Sequence, residues 1–554
     1  MGFKDSLNDA VSDSPVGRYF KLEERGSKFT TELLGGLVSF LTMAYIIPVN
    51  AAILADTGGT CDSLDEDPVG FFDCRELMQK DLITATAASA CIGCMLMGAL
   101  ANLPILLAPG MGMNAYFAYT VVGYGGTGNI AYEVALAAVF IEGIIFLVLA
   151  LSGLRGALAR LFPHSVREAT PAGIGFFLTH IGLQAAEGIG LVTADAATLV
   201  ELGACPPERR IETAPGVNNY YCDHGYMESP RTWLGIVGFG IIVVLMCKGI
   251  KGSMMVGILF VSIISWFRDT DVTYFPDNDE GNARYDYFKE VAKFEAIDNT
   301  AGALEFELDS SEVWVALITF LYVDLLDTTG TLHAIVKQAG FMGADGTFEG
   351  EKAAFSCDAI ATMVGALLGT SPVTSFIESA AGIEEGARTG LTALTGGILF
   401  FVSIFFNPIF SAIPPYATGP ALIVTGCLMM RNLKNIAWED KFVAFPAFLT
   451  IVIMPLTYSI AYGLIAGICS HGILFFCHYV WEMAAGRMTF SDVKEDIQRR
   501  PAAAEETEGK DVDETAMIKD ADNNPMTKDV EGAPPVEAPA ATAVVADDSE
   551  SKVM

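Results

Sequence analysis

The chain has 554 residues, of which 52% are hydrophobic and only 18% are charged. A soluble protein usually carries about 25% charged residues, so the composition indicates a membrane protein. The formal net charge of −33 excludes a nucleic-acid partner, because binding to nucleic acid needs a basic surface.

Residues 1–28 are polar and lack the pattern of a cleavable signal peptide, which predicts a cytoplasmic N-terminal segment. Windows of about 20 apolar residues, the length that a helix needs to cross the hydrocarbon, then recur almost without a pause, and we count about fourteen. The remaining predicted regions are a first seven-segment repeat at 29–268, an extracellular loop at 269–311, a second seven-segment repeat at 312–483 and an acidic disordered cytoplasmic tail at 484–554.

Basic and cysteine residues indicate which loops face which side of the membrane. Lys and Arg concentrate in every second loop, as is typical of cytoplasmic loops, and this predicts an even number of spans with both termini in the cytoplasm. Cys61 with Cys74, and Cys205 with Cys222, fall in loops assigned to the outside, so we predict one disulfide within each pair. The other seven cysteines lie in apolar segments, where Cys behaves as a small hydrophobic residue. We expect no metal ion and no cofactor.

The two halves of the chain share interruptions at corresponding places. The third segment contains Pro109 and Gly110, and the tenth contains Gly369 and Pro372. Because Pro and Gly interrupt helices, both segments are predicted to be broken. Seven spans per half is an odd number, so the halves must have opposite orientations. This is the plan of an inverted-repeat transporter, in which the broken segments form the binding site.

Acidic residues also lie inside the apolar segments, where a charge costs about 2.5–3.5 kcal/mol on insertion scales. Asp324 and Asp327 are three residues apart and therefore share a helix face. Glu378 lies in the tenth segment, and Asn114 occupies the matching break of the third. Clustered carboxylates cannot all ionise, which favours a site that takes up and releases protons. Asp327 and Glu378 are the candidate proton-coupling residues.

Four further polar residues in apolar segments have less informative surroundings. For Asp358, near the end of a predicted span, a helix cap and a functional role both stay open. Glu142, His180 and Glu187 have no matching partner motif, and we interpret them as packing or interface groups.

Long strings of residues resemble the AzgA-like purine transporters, a family within the nucleobase–ascorbate transporter superfamily. Residues 320–332, 374–382, 109–115 and 42–50 are similar to the signatures of that family's eighth, tenth, third and first spans. The resemblance extends from Phe29 to Val480 and implies fourteen spans that form a core domain and a gate domain.

The resemblance also implies a function. Members of the family move adenine, guanine and hypoxanthine with protons, and plant relatives also take cytokinins. Substrate would lie between the third and tenth segments, against the eighth, and which of the two Asp residues contacts purine stays open. The candidate substrate-binding residues in these strings are Asn114, Phe320, Asp324, Asp327, Thr329, Ser375 and Glu378.

We therefore expect an all-α, multi-pass protein of the plasma membrane bilayer, a homodimer that imports purine nucleobases, with the proton as coupling ion. An anion exchanger of the same fold would use helix N-termini without nearby carboxylates, and Glu378 beside Asp327 speaks against it. An intramembrane aspartyl protease is suggested by Asp324 within Tyr-Val-Asp and by Pro420-Ala-Leu. It would need a second Asp in a Gly-x-Gly-Asp string, which the sequence lacks.

Overall fold

The computed structural model describes residues 3–61, 68–154, 162–184, 188–195, 198–212, 220–343 and 347–487. The predicted tail from residue 488 onward lies outside these residues. The chain divides into two compact units, Met1–Phe476 and Cys477–Met554, and the packing described below belongs to the first unit.

Helices make up most of the described chain. They are α1 (Phe3–Ser12), α2 (Pro15–Tyr19), α3 (Phe29–Met43), α4 (Ile46–Ala55), α5 (Pro68–Leu96), α6 (Met111–Ala115), α7 (Tyr132–Ser152), α8 (His164–Leu183), α9 (Pro230–Cys247), α10 (Ser253–Ser265), α11 (Asp279–Phe288), α12 (Ser311–Gln338), α13 (Glu351–Leu368), α14 (Ala380–Glu384), α15 (Gly390–Ser403), α16 (Asn407–Ser411), α17 (Pro415–Met429), α18 (Lys441–Thr457) and α19 (Ile460–Ala484). Two π-helical segments, Met97–Ala101 and Tyr116–Val122, continue α5 and α6.

Within the described residues, six helical stretches are long and apolar enough to cross a membrane, and three more apolar helices are shorter. The predicted segments outnumber them because several segments are short or interrupted. The first predicted span, for example, is two helices that meet at Ala44 and Tyr45. Burial separates the long stretches further: 72% of the apolar window in Phe29–Ala55 is buried, against 22% in α9. The first stretch is thus central, whereas α9 presents most of its apolar surface outward.

The prediction of an all-α protein is incomplete, because the described chain also contains six short strands. They are β1 (Leu107–Pro109), β2 (Val192–Asp195), β3 (Leu199–Leu202), β4 (Arg210–Glu212), β5 (Tyr220–Cys222) and β6 (Val373–Ser375). β2 pairs with β3, and β4 pairs with β5, in the loop between α8 and α9. The sequence pattern missed these hairpins because polar loop strands lack a run of apolar residues.

Two disulfides hold loop segments together. The structure joins Cys61 to Cys74, with 5.9 Å between their Cα atoms, and Cys205 to Cys222, also with 5.9 Å. Both Cα separations lie in the usual range for a disulfide. The second bond ties β5 to the segment that leads into β4.

Most of the helices form two packing groups. The first packing group consists of α3, α4, α5, α7, α12, α13 and α15, and the second consists of α8, α9, α10, α17 and α18. The groups meet where α8 contacts α12, where α10 contacts α3 and where α17 contacts α4, and α6 contacts helices of both groups. Residues at this boundary can therefore respond to any relative movement of the groups.

A buried acid in α3 organises the start of α15. The Glu32 carboxylate accepts the backbone N–H groups of Arg388 at 2.8 Å and Thr389 at 3.1 Å, and the Thr392 hydroxyl at 2.6 Å. Arg388 and Thr389 lie directly before the first residue of α15, Gly390, so Glu32 holds the chain from α3 at the point where α15 begins. This contact joins α3 to α15 inside the first packing group.

Glycine permits the closest helix contact in the second packing group. A Cβ placed on Gly426 of α17 would collide with the carbonyl oxygen of Gly175 on α8, and a Cβ on Gly175 would lie 2.5 Å from the carbonyl oxygen of Gly426. Small residues at such crossings let backbones approach and gain van der Waals contact in lipid.

The glycine crossing predicts a selective loss of stability. Gly426→Ala should lower the free energy of unfolding by about 1–3 kcal/mol, because the added methyl group overpacks the crossing. Gly240→Ala is the matched control, since a Cβ there meets no atom within 4 Å. It should leave stability equal or higher by up to about 1 kcal/mol. Thermal unfolding of the detergent-purified proteins measures both, and equal midpoints for the two variants would contradict the role of this contact.

Candidate functional site

The two broken segments meet in a buried, antiparallel ribbon made of β1 and β6. Beyond the strands, the Gly110 N–H donates to the Pro372 carbonyl at 2.9 Å, and the Phe376 N–H donates to the Leu106 carbonyl at 3.1 Å. Backbone groups released from a helix are tolerated at membrane depth only when they are paired or line a cavity. The ribbon supplies the pairing for both segments at once.

Glu378 lies in the helical turn Ile377–Ser379, directly after β6, and is half-buried. The Tyr45 hydroxyl donates to Glu378 Oε1 at 3.0 Å and lies 3.3 Å from the Thr425 hydroxyl. Tyr45 comes from the break between α3 and α4, and Thr425 comes from α17. The hydrogen bonds around Glu378 thus cross the boundary between the two packing groups.

Asp327, on α12, is also half-buried, and its carboxyl group interacts electrostatically with that of Glu378. The structure therefore brings together the two residues that the sequence pattern predicts as proton-coupling groups. Tyr45 was not predicted as a site residue, because a tyrosine in an apolar segment carries no charge to mark it. We call Asp327 and Glu378 the paired acids.

A second group of acids lies deeper. Asp324 and Asp358 are both buried, with 0% exposure. The Thr328 hydroxyl is 3.1 Å from Asp324 Oδ1, 2.9 Å from Asp358 Oδ2 and 2.8 Å from the Thr374 hydroxyl of β6. One hydroxyl therefore links α12, α13 and the ribbon.

The position of Asp358 decides between the two interpretations left open by its sequence. It lies within α13, whose N-cap is Gly350 and whose C-cap is Gly369. Asp358 is therefore not a helix cap. Its carboxyl group faces the other buried acid, Asp324.

Glu142, on α7, belongs to the same buried group. Its exposure is 0%, and its carboxyl group faces that of Asp324 at hydrogen-bonding range. Neither of its oxygens has a donor among the described residues. The interpretation of Glu142 as a packing group overlooked its charge in the middle of a long apolar helix, which is itself a functional signal. We call Glu142, Asp324 and Asp358 the buried triad.

Asn114 lies apart from the acids. The Ser371 hydroxyl donates to its Oδ1, and Ser371 also contacts Asn50, whose Nδ2 donates to the Thr370 hydroxyl at 2.9 Å. Ser371 precedes β6 whereas Glu378 follows it, so Asn114 and Glu378 are at opposite ends of the ribbon. The structure places Asn114 in a separate, satisfied polar network.

The other three candidate residues have different surroundings. Phe320 is buried and packs edge-to-face on Tyr116, with 5.2 Å between ring centroids. The Thr329 carbonyl is 2.8 Å from His333 Nδ1, one turn along α12. The Ser375 hydroxyl is buried and has no hydrogen-bond partner among the described residues. Ser375 is thus the member of this set with unused hydrogen-bonding capacity.

The arrangement suits a neutral polar solute. The paired acids can accept hydrogen bonds from ring N–H groups at the boundary between the packing groups, and Ser375 on the ribbon can both donate and accept. When both are ionised, these two acids repel an anion. The geometry therefore favours recognition of an uncharged heterocycle with several N–H donors.

Comparison with known proteins identifies related sequences. The model of a family described as a permease family matches residues 31–205 and 226–465. The chain is 47% identical to the efflux pump notK' of Aspergillus versicolor, over 84% of this chain and 83% of the relative. It is 44% identical to a putative xanthine/uracil permease of Schizosaccharomyces pombe, over 87% of this chain and 79% of the relative. It is 36% identical to the guanine/hypoxanthine permease PbuO of Bacillus subtilis, over 82% of this chain and 93% of the relative.

Solved structures share the fold. Murine Solute Carrier 26 family member A9, an anion transporter in its inward-facing state, aligns with a TM-score of 0.52 and 9% identity over 81% of this chain and 68% of its own. The transmembrane domain of the cyanobacterial bicarbonate transporter BicA aligns with a TM-score of 0.50 and 16% identity, over 79% of this chain and 97% of that domain. Identities this low show a common helical membrane-transporter fold and nothing about substrate.

The position of Thr328 predicts that its hydroxyl group contributes more to stability than its methyl group does. Thr328→Val should lower the free energy of unfolding by about 1–3 kcal/mol, because it leaves buried carboxyl oxygens without their hydroxyl partner. Thr328→Ser keeps the hydroxyl and should lose only about 0.8 kcal/mol for the methyl group. Thermal unfolding of both variants tests this difference. A valine variant as stable as the parent would show that the hydroxyl contacts contribute nothing.

Proposed function

Because the chain belongs to this permease family, we propose that it is a secondary active transporter that imports purine nucleobases by proton symport. It is a multi-pass membrane permease and not an enzyme. Adenine, guanine and hypoxanthine are the proposed substrates, with cytokinins as possible additional ones.

The observation that carries the substrate proposal is the position of Glu378 beside Asp327, with Tyr45 bonded to Glu378 and in contact with Thr425 across the boundary of the packing groups. A purine ring presents N–H donors in its plane, which match carboxylate acceptors. Relatives named as guanine/hypoxanthine and adenine permeases support a purine as the ring. The buried acid Asp324 lies behind the paired acids, so Asp327 is the aspartate that we assign to substrate.

The alternative of anion transport has less support. The likeness to anion transporters concerns the fold alone, and the same fold can carry different sites. An anion would have to approach the paired acids, and like charges at such a site disfavour binding. A neutral base avoids this cost.

The direction of transport follows from the coupling. A proton gradient directed inward would drive symport inward, and the paired acids are the groups through which a proton can act. One relative is named as an efflux pump, so direction is a property to be measured in its own right.

The architecture proposed for this activity is two inverted repeats of seven segments. The ribbon supports it, since β1 and β6 come from the third and tenth segments and pair antiparallel. The first packing group would serve as the core domain and the second as the gate domain. We further propose a homodimer in the plasma membrane with both termini in the cytoplasm.

Removing the Glu378 carboxylate should abolish purine transport without removing the protein. Glu378→Gln replaces a strong acceptor by an amide, and sites that hydrogen-bond a substrate can discriminate by up to about 10⁴-fold. Radiolabelled purine uptake in a transport-deficient cell, with competition by nucleosides and uracil, gives the activity, and purine binding to purified protein gives the affinity. Glu312→Gln, at the exposed start of α12, is the control and should transport normally. Binding and uptake at the parent's level by Glu378→Gln would place the substrate elsewhere.

Asp327 should control how uptake depends on pH. In a symporter, uptake rises as external pH falls, because more carriers hold the coupling proton. Asp327→Asn cannot gain or lose that proton, so its residual uptake should be equal at acidic and neutral external pH. Asp309→Asn, in the exposed loop before α12, should keep the parent's dependence. An unchanged pH profile in Asp327→Asn would remove Asp327 from the coupling mechanism.

A further inference from the structure

The Glu142 carboxyl group is buried and has no donor from any described residue. An ionised carboxylate without a partner in an apolar medium is costly, and in a membrane span the cost is not offset by water. Its neighbour Asp324 leaves Oδ2 unpaired, and Asp358 leaves Oδ1 unpaired. The three carboxyl groups thus have four oxygens that lack a hydrogen-bond donor among the described residues.

Counting protons shows how these contacts can be satisfied. The Thr328 hydroxyl carries one proton, so it can donate to Asp324 or to Asp358 but not to both. The contact of Thr328 with the other of these two acids is a hydrogen bond only if that other acid carries a proton and donates it to Thr328. The facing carboxyl groups of Glu142 and Asp324 need another proton, because two carboxylates have no donor between them. Two protons on the three acids satisfy both contacts and leave a charge of −1.

The charged groups that act on Glu142 in the described part of the chain are both acids. α12 presents Asp324 and α13 presents Asp358 to it, and Cys357 is adjacent to Asp358. The π-helical segment Tyr116–Val122, which also contacts α7, carries two tyrosines whose hydroxyl groups are engaged elsewhere: Tyr116 with Thr319, and Tyr119 with Asp56. None of the three acids forms an ion pair among the described residues.

A metal ion fits the buried triad less well than a proton does. No group of three or more His, Cys, Asp or Glu side chains in the described chain has an arrangement that could hold a metal ion. Sodium and divalent cations need several oxygens directed at one point. A proton needs only two facing oxygens, which Glu142 and Asp324 provide.

The buried triad is also connected to the paired acids. Asp327 is one turn from Asp324 on α12, and its charge acts on both Asp324 and Asp358. The charge of Glu378 in turn acts on Asp327. A line of acids thus leads from the half-buried Glu378, through Asp327, to the buried Glu142.

We propose that Glu142, Asp324 and Asp358 form an occluded proton-binding site, separate from the substrate site, that exchanges one proton in each transport cycle. The role in the cycle rests on the proposed function, whereas the proton-binding itself does not. On loading, the triad holds two protons and carries a charge of −1. On release, the O–H bond of one acid breaks, its proton passes to a carboxylate oxygen of Asp327, and the triad is left with a charge of −2.

The first test observes the proton directly and needs no substrate. Infrared spectra of the purified full-length protein, recorded across a pH titration, should contain a carbonyl-stretch band of a buried carboxylic acid. Glu142→Gln should lose part of this intensity, because an amide cannot be protonated there, while the acid that donates to Thr328 keeps its proton. Glu133→Gln, at the start of the same helix, should retain the parent's band. A parent spectrum without such a band, or one unaltered in Glu142→Gln, would overturn the proposal.

The second test separates coupling from binding in proteoliposomes loaded with purified protein. A pH difference of one unit can drive about tenfold accumulation of a neutral solute that moves with one proton. The parent should reach this level with labelled guanine. Glu142→Gln should accumulate none, yet should bind guanine within about threefold of the parent affinity and exchange it at equal pH. Accumulation by Glu142→Gln equal to the parent's would overturn the role of the triad in coupling.

The two tests keep the proposals distinguishable. If the parent carries no purine but its acid band weakens in Glu142→Gln, then the proposed function fails and the proton site stands. If Glu142→Gln unfolds, Asp358→Asn is the second variant, and it should show the same loss of the acid band and of accumulation. An Asp358→Asn protein that keeps both would overturn the proposal as well.

Discussion

An unpaired backbone N–H or C=O group inside the hydrocarbon costs several kcal/mol, and this requirement governs how the centre of the protein is built. Pro and Gly stop two helices at membrane depth, which would expose such groups on both segments. The ribbon of β1 and β6 resolves the problem by letting the two segments satisfy each other. Each break is tolerable only because the other exists, so the two halves of the chain are structurally interdependent at this point.

The ribbon also determines where side chains can gather. Thr374, within β6, reaches the Thr328 hydroxyl, and Glu378 follows the ribbon by one short turn. Residues of α12 therefore meet the tenth segment at two depths, with the paired acids half-buried and the buried triad behind them. The turn of α12 that carries Asp324 and Asp327 thus contributes both to a site that can contact a solute and to a site that can hold protons away from water.

The shared fold and the different side chains separate two levels of specificity. Proteins that align with this chain at 9% and 16% identity include anion transporters, so the scaffold of broken segments does not select one charge. Under the proposed function, acids at the boundary of the packing groups favour neutral solutes in this chain, and the same fold can carry other sites. Function in this fold depends on a few side chains, and the contacts of those side chains indicate what chemistry they can perform.

The sequence by itself determined the membrane class, the two broken segments and the cysteine pairs, and it marked Asp327 and Glu378 as candidates, because apolar runs, Pro and Gly, and charges in apolar segments are local signals. It could not separate Asp324 from Asp327, since a spacing of three residues places both on one helix face although only Asp327 is half-exposed. It could not find Tyr45, Thr328 or Glu142 as partners, because their contacts come from residues far away in the chain. Only tertiary packing brings α7, α12 and α13 together, and burial in that contact, rather than residue type, distinguishes the buried triad from the half-buried paired acids.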